Sequence, residues 1–195
     1  MNRLILLDLG TEYSSKLKGM TEEQPYTLVS KQNGFEIRHY PSYVLVQVST
    51  QGEFSRAASA AFSPLVNYIS GRNETREKFA MTAPVIHAPD KEAKTHVVSF
   101  VLPKDVSIKD IPLPADVQVS TIQVDPHYAA AIKFRGLANY EHFKSNGDKL
   151  MAAIKAEGLT ADGEPYYARF DPPWKPGILR RNEAIVALKN YPKAS

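Results

Sequence analysis

The chain has 195 residues and a mass of 21.7 kDa, with 43% hydrophobic and 23% charged residues, which is typical of one globular domain or two small ones. The net charge of +3 is too small to indicate a dedicated nucleic-acid-binding protein, although it suits a modest anionic ligand. Because the chain has no cysteine, it has no disulfides, thiolate metal sites, cysteine nucleophiles or cysteine heme ligands.

The N-terminal segment contains one short apolar run, residues 4–7. This run is shorter than the core of a signal peptide, about 7 to 15 residues, and far shorter than the ~20 residues of a membrane span. We therefore expect a soluble cytoplasmic protein that does not insert into a membrane. Residues 1–25 are interpreted as an N-terminal arm, and residues 26–191 as a single domain.

The first half of this domain begins with predicted strands. Residues 26–31 and 35–40 are expected to form a β-hairpin, because the Asn33-Gly34 pair supplies the positive φ angles that tight turns need. Residues 43–50 are β-branched and partly alternating, which predicts a long strand.

Apolar residues then follow a helical spacing. The stripe predicts an amphipathic helix that ends at Gly71, with Pro64 inside it expected to kink the axis. Residues 81–87 and 96–102 read as two further strands. The stripe consists of Phe54, Ala57, Ala58, Ala61, Phe62, Leu65, Val66 and Ile69.

The second half repeats this order of elements. A helix is predicted from an N-cap at Asn139 to a stop at Gly158, with Gly147 marking close packing on the sheet. Strands are expected at 117–124, 127–135, 166–170 and 183–189. With repeats at about 26–102 and 115–190, we predict an α+β fold: a distorted β-barrel of two βαββ repeats related by a pseudo-twofold axis, with two flanking helices.

Several catalytic motifs are absent, including phosphate-binding glycine loops, HExxH and GxSxG. The five histidines, at positions 39, 87, 96, 127 and 142, are not paired at spacings typical of local metal sites. His39 shares a strand face with Phe35 and Ile37, whereas Arg38 points the other way. It is either a core histidine bonded to a backbone carbonyl or an axial ligand or titrating base; the same two interpretations apply to His87.

Two loops carry concentrated polar and aromatic residues. Residues 71–85 run from a charged segment into an apolar strand, and residues 170–183 place three prolines around Trp174, the only tryptophan. Stiff aromatic loops beside cations suit flat anionic ligands. The alternative for both is a solvated connection, with Trp174 only covering the end of the barrel.

Four short motifs in these segments occur together in one known family. The chain resembles the SOUL heme-binding protein family over about residues 26–189, and the resemblance implies a distorted barrel similar to the GyrI-like effector-binding fold, together with tetrapyrrole binding. The motifs are Phe35-Glu36-Ile37-Arg38-His39-Tyr40, Tyr68-Ile69-Ser70-Gly71-Arg72-Asn73, Met81-Thr82-Ala83-Pro84-Val85, and Asp171-Pro172-Pro173 followed by Arg180-Arg181-Asn182-Glu183.

The resemblance also implies a binding site for non-covalent heme. His39 occupies the place of a histidine put forward in the family as an iron ligand, although other members bind heme through an apolar groove without an obligatory ligand. The groove along the first helix faces the loop that contains Trp174. Its wall is expected from Phe62, Leu65, Val66 and Ile69, and the heme propionates are expected to meet Lys175, Arg72 or Arg180.

Binding as a buffer, carrier or chaperone is one of three functions that stay open at this point. Relatives of the fold hydrolyse bulky aromatic molecules with a carboxylate and a tyrosine, for which the candidates here are Glu183, Tyr128, Tyr166 and Tyr167. A ligand-sensing or protein-interaction module is the third, because an apolar groove also accepts an amphipathic helix.

Overall fold

The computed structural model describes residues 21–89, 94–137, 139–172, 174–189 and 191. Residues 1–20, which make up most of the predicted N-terminal arm, lie outside the described residues, as does Pro173. Strand β1 (Glu22–Glu23) pairs in parallel with β5 (Thr82–Ala83), and the amide of Gln24 donates to the carbonyl of Ala83 at 2.7 Å. This end of the predicted arm therefore packs against the domain.

The other regular elements of the described chain are an antiparallel nine-stranded sheet, two long helices, α1 (Phe54–Ile69) and α2 (Tyr140–Ala156), and a short 3-10 helix (Gly177–Leu179). The strands are β2 (Thr27–Lys31), β3 (Glu36–Tyr40), β4 (Tyr43–Gln51), β6 (Val85–Pro89), β7 (Thr95–Val101), β8 (Val119–Val124), β9 (His127–Arg135), β10 (Thr160–Arg169) and β11 (Arg181–Lys189). Their order across the sheet is β2-β3-β9-β11-β10-β6-β7-β4-β8. No helix of the described part is long and apolar enough to cross a membrane.

The predicted duplication is visible in this order. One half is β4-α1-β6-β7 and the other is β9-α2-β10-β11, and they meet where β6 pairs with β10. Each half also receives a strand from the other half of the chain, since β3 pairs with β9 and β8 pairs with β4. The predicted α+β class with two helices is confirmed; the sheet runs from edge strand β2 to edge strand β8, which makes it a curled half-barrel.

Local sequence signals account for the elements. Gly34 has a φ of +90° in the turn between β2 and β3, as the Asn-Gly pair predicts. The side-chain oxygen of Asn139 accepts a hydrogen bond from the amide of His142 and caps α2. A Cβ atom at Gly147 would lie 3.4 Å from the hydroxyl oxygen of Tyr167, so the helix approaches the sheet closely there.

Both long helices pack on the same face of the sheet. Residues paired across neighbouring strands point to the same face, and the residues beneath the two helices are connected by such pairs. Leu65 of α1 is fully buried against Val46 and Val98, and Phe143 of α2 is fully buried against Ala130 and Val186. The opposite face is also closed over by the curl of the sheet. It buries a second, smaller set of residues: Tyr40, Ala129, Ala131, Ala168 and Ile185.

Candidate functional site

A groove of about 1020 Å³ lies between α1, the strands β5 and β6, and the loop that follows β10. Its walls are mostly apolar, and three of the large apolar side chains in them are exposed: Met81 by 39%, Phe62 by 47% and Trp174 by 84%. Exposed aromatic side chains beside a concavity are typical of a site that binds an apolar molecule.

The helix α1 supplies one wall because its apolar stripe is wider than the sheet can cover. Ala61 and Leu65 point into the sheet and are fully buried. Phe62, Val66 and Ile69 lie on the flank of the same helix and line the groove. A stripe of this width therefore builds both a core contact and a ligand-binding surface.

The loop opposite α1 is held by its own polar contacts. The carboxylate of Asp171 pairs with Nζ of Lys175 at 2.8 Å and accepts a hydrogen bond from the amide of Arg181 at 2.6 Å. Partial burial raises the pKa of Asp171, but these two contacts outweigh it and hold the pKa below its ordinary value. Nε of Arg180 donates to the carbonyl of Lys175 at 2.8 Å. The loop that carries Trp174 is thereby anchored at both ends.

A chain of hydrogen bonds lies beneath the groove and involves two histidines. Nη2 of Arg169 lies 3.1 Å from Nδ1 of His87, whose Nε2 lies 3.0 Å from Nδ1 of His96, and Nε2 of His96 lies 2.8 Å from the carbonyl oxygen of Gly52. An arginine can only donate a hydrogen bond, and a carbonyl can only accept one. Both ends of this series of hydrogen bonds therefore require the same tautomers of the two histidines. Each histidine therefore carries its proton on Nε2 and accepts on Nδ1.

The environment holds His87 neutral. Burial lowers its pKa to about 3, and the positive charge of Arg169 and the neighbouring His96 act in the same direction. Its ring is stacked on Phe54, with centroids 3.9 Å apart and an angle of 8° between the planes. Of the two interpretations for His87, the structure supports the satisfied core histidine, although its two nitrogens contact the side chains of Arg169 and His96 and not a backbone carbonyl.

The structure brings together about half of the residues predicted for the site. Phe62, Val66, Ile69, Trp174 and Arg180 line the groove. Leu65 is on the side of α1 that faces the sheet and does not reach the groove. Lys175 is paired with Asp171 rather than lining the groove, and Arg72 lines a separate, smaller cavity of about 400 Å³ next to Tyr68 and Val119.

His39 lies elsewhere in the fold. It is half-buried on β3, and its ring centroid is 4.8 Å from that of Tyr128 on β9, in the half of the molecule that carries α2. It is not among the residues that line the groove. An iron bound in the groove and an iron bound by His39 would therefore be at two different places.

The residues named for a hydrolase do not form a common site. Glu183 is 3% exposed, and both of its carboxylate oxygens bind the guanidinium of Arg38, at 2.6 and 3.1 Å. Tyr167 is buried beneath α2 on the opposite face of the sheet from Glu183. Neither these residues nor Tyr128 and Tyr166 line the groove.

Neither Arg169 nor the contact between His87 and His96 was predicted from the sequence. The predicted strands 81–87 and 96–102 contained a usable signal for the histidines, because consecutive strands often pair antiparallel: in the structure His87 lies opposite Val98, and His96 lies two residues from Val98 on the same strand face. For Arg169 the sequence held no such signal.

A model of the SOUL heme-binding protein family matches residues 21–187. The chain belongs to this family. It is 27% identical to Heme-binding protein 2 from Homo sapiens, over 81% of this chain and 80% of that protein, and 24% identical to Heme-binding protein 2 from Mus musculus, over 95% of this chain and 94% of that protein.

Solved structures agree on the fold. The EcmrR C-terminal domain superposes with a TM-score of 0.62 at 13% identity and covers 84% of this chain and 98% of that chain. A hydrolase from Listeria innocua superposes with a TM-score of 0.54 at 11% identity and covers 92% of this chain and 98% of that chain. At such identities the likeness establishes the shared architecture alone.

Proposed function

We propose that this chain binds heme or a similar flat tetrapyrrole non-covalently in the groove beside α1, and that it acts as a buffer, carrier or chaperone for it. The observation that carries the proposal is the mostly apolar groove of about 1020 Å³, which is at the upper end of the range of about 300 to 1,000 Å³ for small-molecule sites. The relatives named Heme-binding protein 2 support it.

The lining of the groove fits the macrocycle better than it fits the iron. Phe62 and Trp174 offer aromatic surface, and burial of apolar area at about 25 cal/mol per Å² provides affinity without an axial bond. His87 is the only histidine among the described lining residues, and both of its nitrogens are engaged. When bound, heme itself supplies the redox and ligand-binding chemistry of its iron. The role of the chain is to cover the apolar face of the macrocycle.

The decisive experiment fills the groove. Ala58 lies on α1, is half-buried and lines the groove, so Ala58→Trp places an indole where the ligand is proposed to bind. We expect hemin affinity to fall at least tenfold, measured by titration of the Soret band, with an unchanged melting temperature. Metal-free protoporphyrin IX should bind the wild-type chain within a few-fold of hemin.

The matched control uses the same helix. Ser63 is exposed on α1 and does not line the groove, so Ser63→Trp adds the same side chain to a different face. This variant should bind hemin as the wild-type chain does. Equal affinity of the Ala58→Trp and Ser63→Trp variants would refute binding in this groove.

A second prediction separates the groove from His39. If heme lies beside α1, His39→Ala leaves both the hemin affinity and the position of the Soret band unchanged, because His39 packs against Tyr128 and not against the groove. Absorbance spectra of the two ferric complexes measure this directly. A change from a histidine-ligated spectrum to an open one would place the iron at His39 instead.

A further inference from the structure

Two arginines in this fold have guanidinium atoms that are shielded from water, but Arg38 is paired with carboxylates and Arg169 is not. Arg38 is fully buried and pairs with two carboxylates, Glu183 at 2.6 Å and Glu36 at 2.8 Å. Arg169 is partly buried, its Nε has no contact with solvent, and no acidic side chain of the described residues lies within ion-pair distance of it. A charge withdrawn from water is costly unless it is paired. Arg38 has negatively charged partners, whereas Arg169 lacks one.

The neighbours of Arg169 do not supply the missing negative charge. Its Cζ atom lies 5.2 Å from the ring centroid of Phe54 and 5.6 Å from that of Phe143. Burial, and then the like charge of Arg180, lower the pKa of Arg169 to about 10, which leaves it a cation at neutral pH. Its nearest carboxylate in the sequence, Asp171, is held by Lys175 and by the amide of Arg181.

The guanidinium is held in place by His87. One Nη2 proton goes to Nδ1 of His87, and the tautomer of that ring is set in turn by His96 and the carbonyl of Gly52. The Nε–H is buried and has no acceptor among the described residues. Arg169 lines the groove, so a rigid, charged group with an unused donor stands at the wall of a mostly apolar site.

We propose that Arg169 is the anion-recognition residue of the groove and makes it select apolar molecules that carry a carboxylate. One unpaired guanidinium is balanced by one carboxylate, which it can bind through two parallel N–H donors, while the apolar body of the ligand lies against Phe62 and Trp174. The proposal rests on the proposed function in using the same groove, and it adds the chemical group that a ligand must carry.

The experiment compares ligands that differ only in the carboxylate. Protoporphyrin IX is compared with its dimethyl ester, and 1-pyrenebutyrate with 1-pyrenebutanol, by fluorescence titration at low ionic strength. We expect the wild-type chain to bind each acid at least tenfold more tightly than its neutral partner. This comparison needs no variant, so it does not depend on whether a substituted chain folds.

Variants then assign the preference to Arg169. Arg169→Met keeps the length and apolar stem of the side chain and should reduce the ratio of acid to neutral affinity to about one, while binding of the neutral partners is retained. Arg169→Lys should restore part of the ratio. Arg135→Gln removes an exposed arginine on β9 that does not line the groove and should leave the ratio as in the wild-type chain.

The outcomes distinguish the two proposals. Equal binding of acids and neutral partners by the wild-type chain overturns the role of Arg169 and leaves tetrapyrrole binding intact. A preference that persists in Arg169→Met also overturns it. Binding of the pyrene acid but of neither porphyrin supports Arg169 and refutes the tetrapyrrole proposal, and failure of all four probes to bind overturns both.

Discussion

Replacing Glu183 with glutamine is expected to lower the free energy of unfolding by about 3 kcal/mol, near the lower end of the range of about 3 to 5 for a buried pair that loses one partner. The substitution keeps the shape of the side chain but removes its charge and replaces one of its two acceptor oxygens with an amide donor, which leaves Arg38 fully buried with one carboxylate instead of two. The loss is at the lower end because Glu36 still pairs with Arg38. Urea unfolding at pH 7 measures it as a shift in midpoint at constant slope.

An exposed ion pair in the same chain provides the control. Lys144 and Asp148 pair at 2.7 Å on the surface of α2, one turn apart, and Asp148→Asn should cost less than about 1 kcal/mol. Similar losses for Glu183→Gln and Asp148→Asn would contradict the buried-pair argument. The double variant Arg38→Met, Glu183→Leu should be less destabilised than Glu183→Gln, because removing both charges leaves no uncompensated ion and Glu36 keeps Lys133 at 2.9 Å.

The same pair bears on the hydrolase alternative. A carboxylate that acts as a base or nucleophile must reach its substrate, whereas both oxygens of Glu183 bind Arg38, and the residue is 3% exposed. The hydroxyl of Tyr40 accepts a further hydrogen bond from Arg38 at 3.0 Å. This cluster therefore has the geometry of a structural brace that ties β3 to β11 beneath the curl of the sheet.

Acid is expected to destabilise the fold through His87. In the unfolded chain this histidine binds a proton as the pH falls below about 6.5, whereas in the folded chain its pKa is lowered to about 3 by burial and by Arg169 and His96. Between these values the unfolded state holds the extra proton. His87 thus lowers the free energy of unfolding by up to about 1.4 kcal/mol for each pH unit below 6.5, and has no such effect above it.

Urea titrations at several pH values between 7 and 4 measure this slope, and His87→Gln identifies its source. A glutamine amide can accept from Arg169 and donate to His96, so it keeps both hydrogen bonds without titrating. The difference in stability between wild type and variant is expected to change with pH below 6.5 and to be constant above it, since the other titrating groups are common to both chains. A difference that is constant from pH 7 to pH 4 would contradict the prediction.

Much of the architecture followed from short-range sequence patterns. The Asn33-Gly34 turn, the alternating residues 43–50 and the helical stripe from Phe54 to Ile69 each encode their own local conformation, because backbone preference and amphipathic periodicity act over a few residues. The repeated order of these signals was enough to predict two βαββ units and two helices.

What the sequence did not reveal depends on contacts between distant parts of the chain. Its periodicity placed Phe62, Leu65, Val66 and Ile69 on one stripe, and only packing on the sheet decided that Leu65 is core while the others line the groove. Alternation along β3 put Arg38 opposite Phe35 and Ile37, but whether that face meets water depends on the curl of all nine strands.

Charge partners were decided in the same way. Nothing local in the sequence shows that Glu183 lies beside Arg38, 145 positions away. The pairing of β6 with β10 brings Arg169 to His87 across 82 positions and leaves it without a carboxylate. Coulomb and hydrogen-bond energies depend on distance in space, and this distance is set only when the two halves of the sheet have come together.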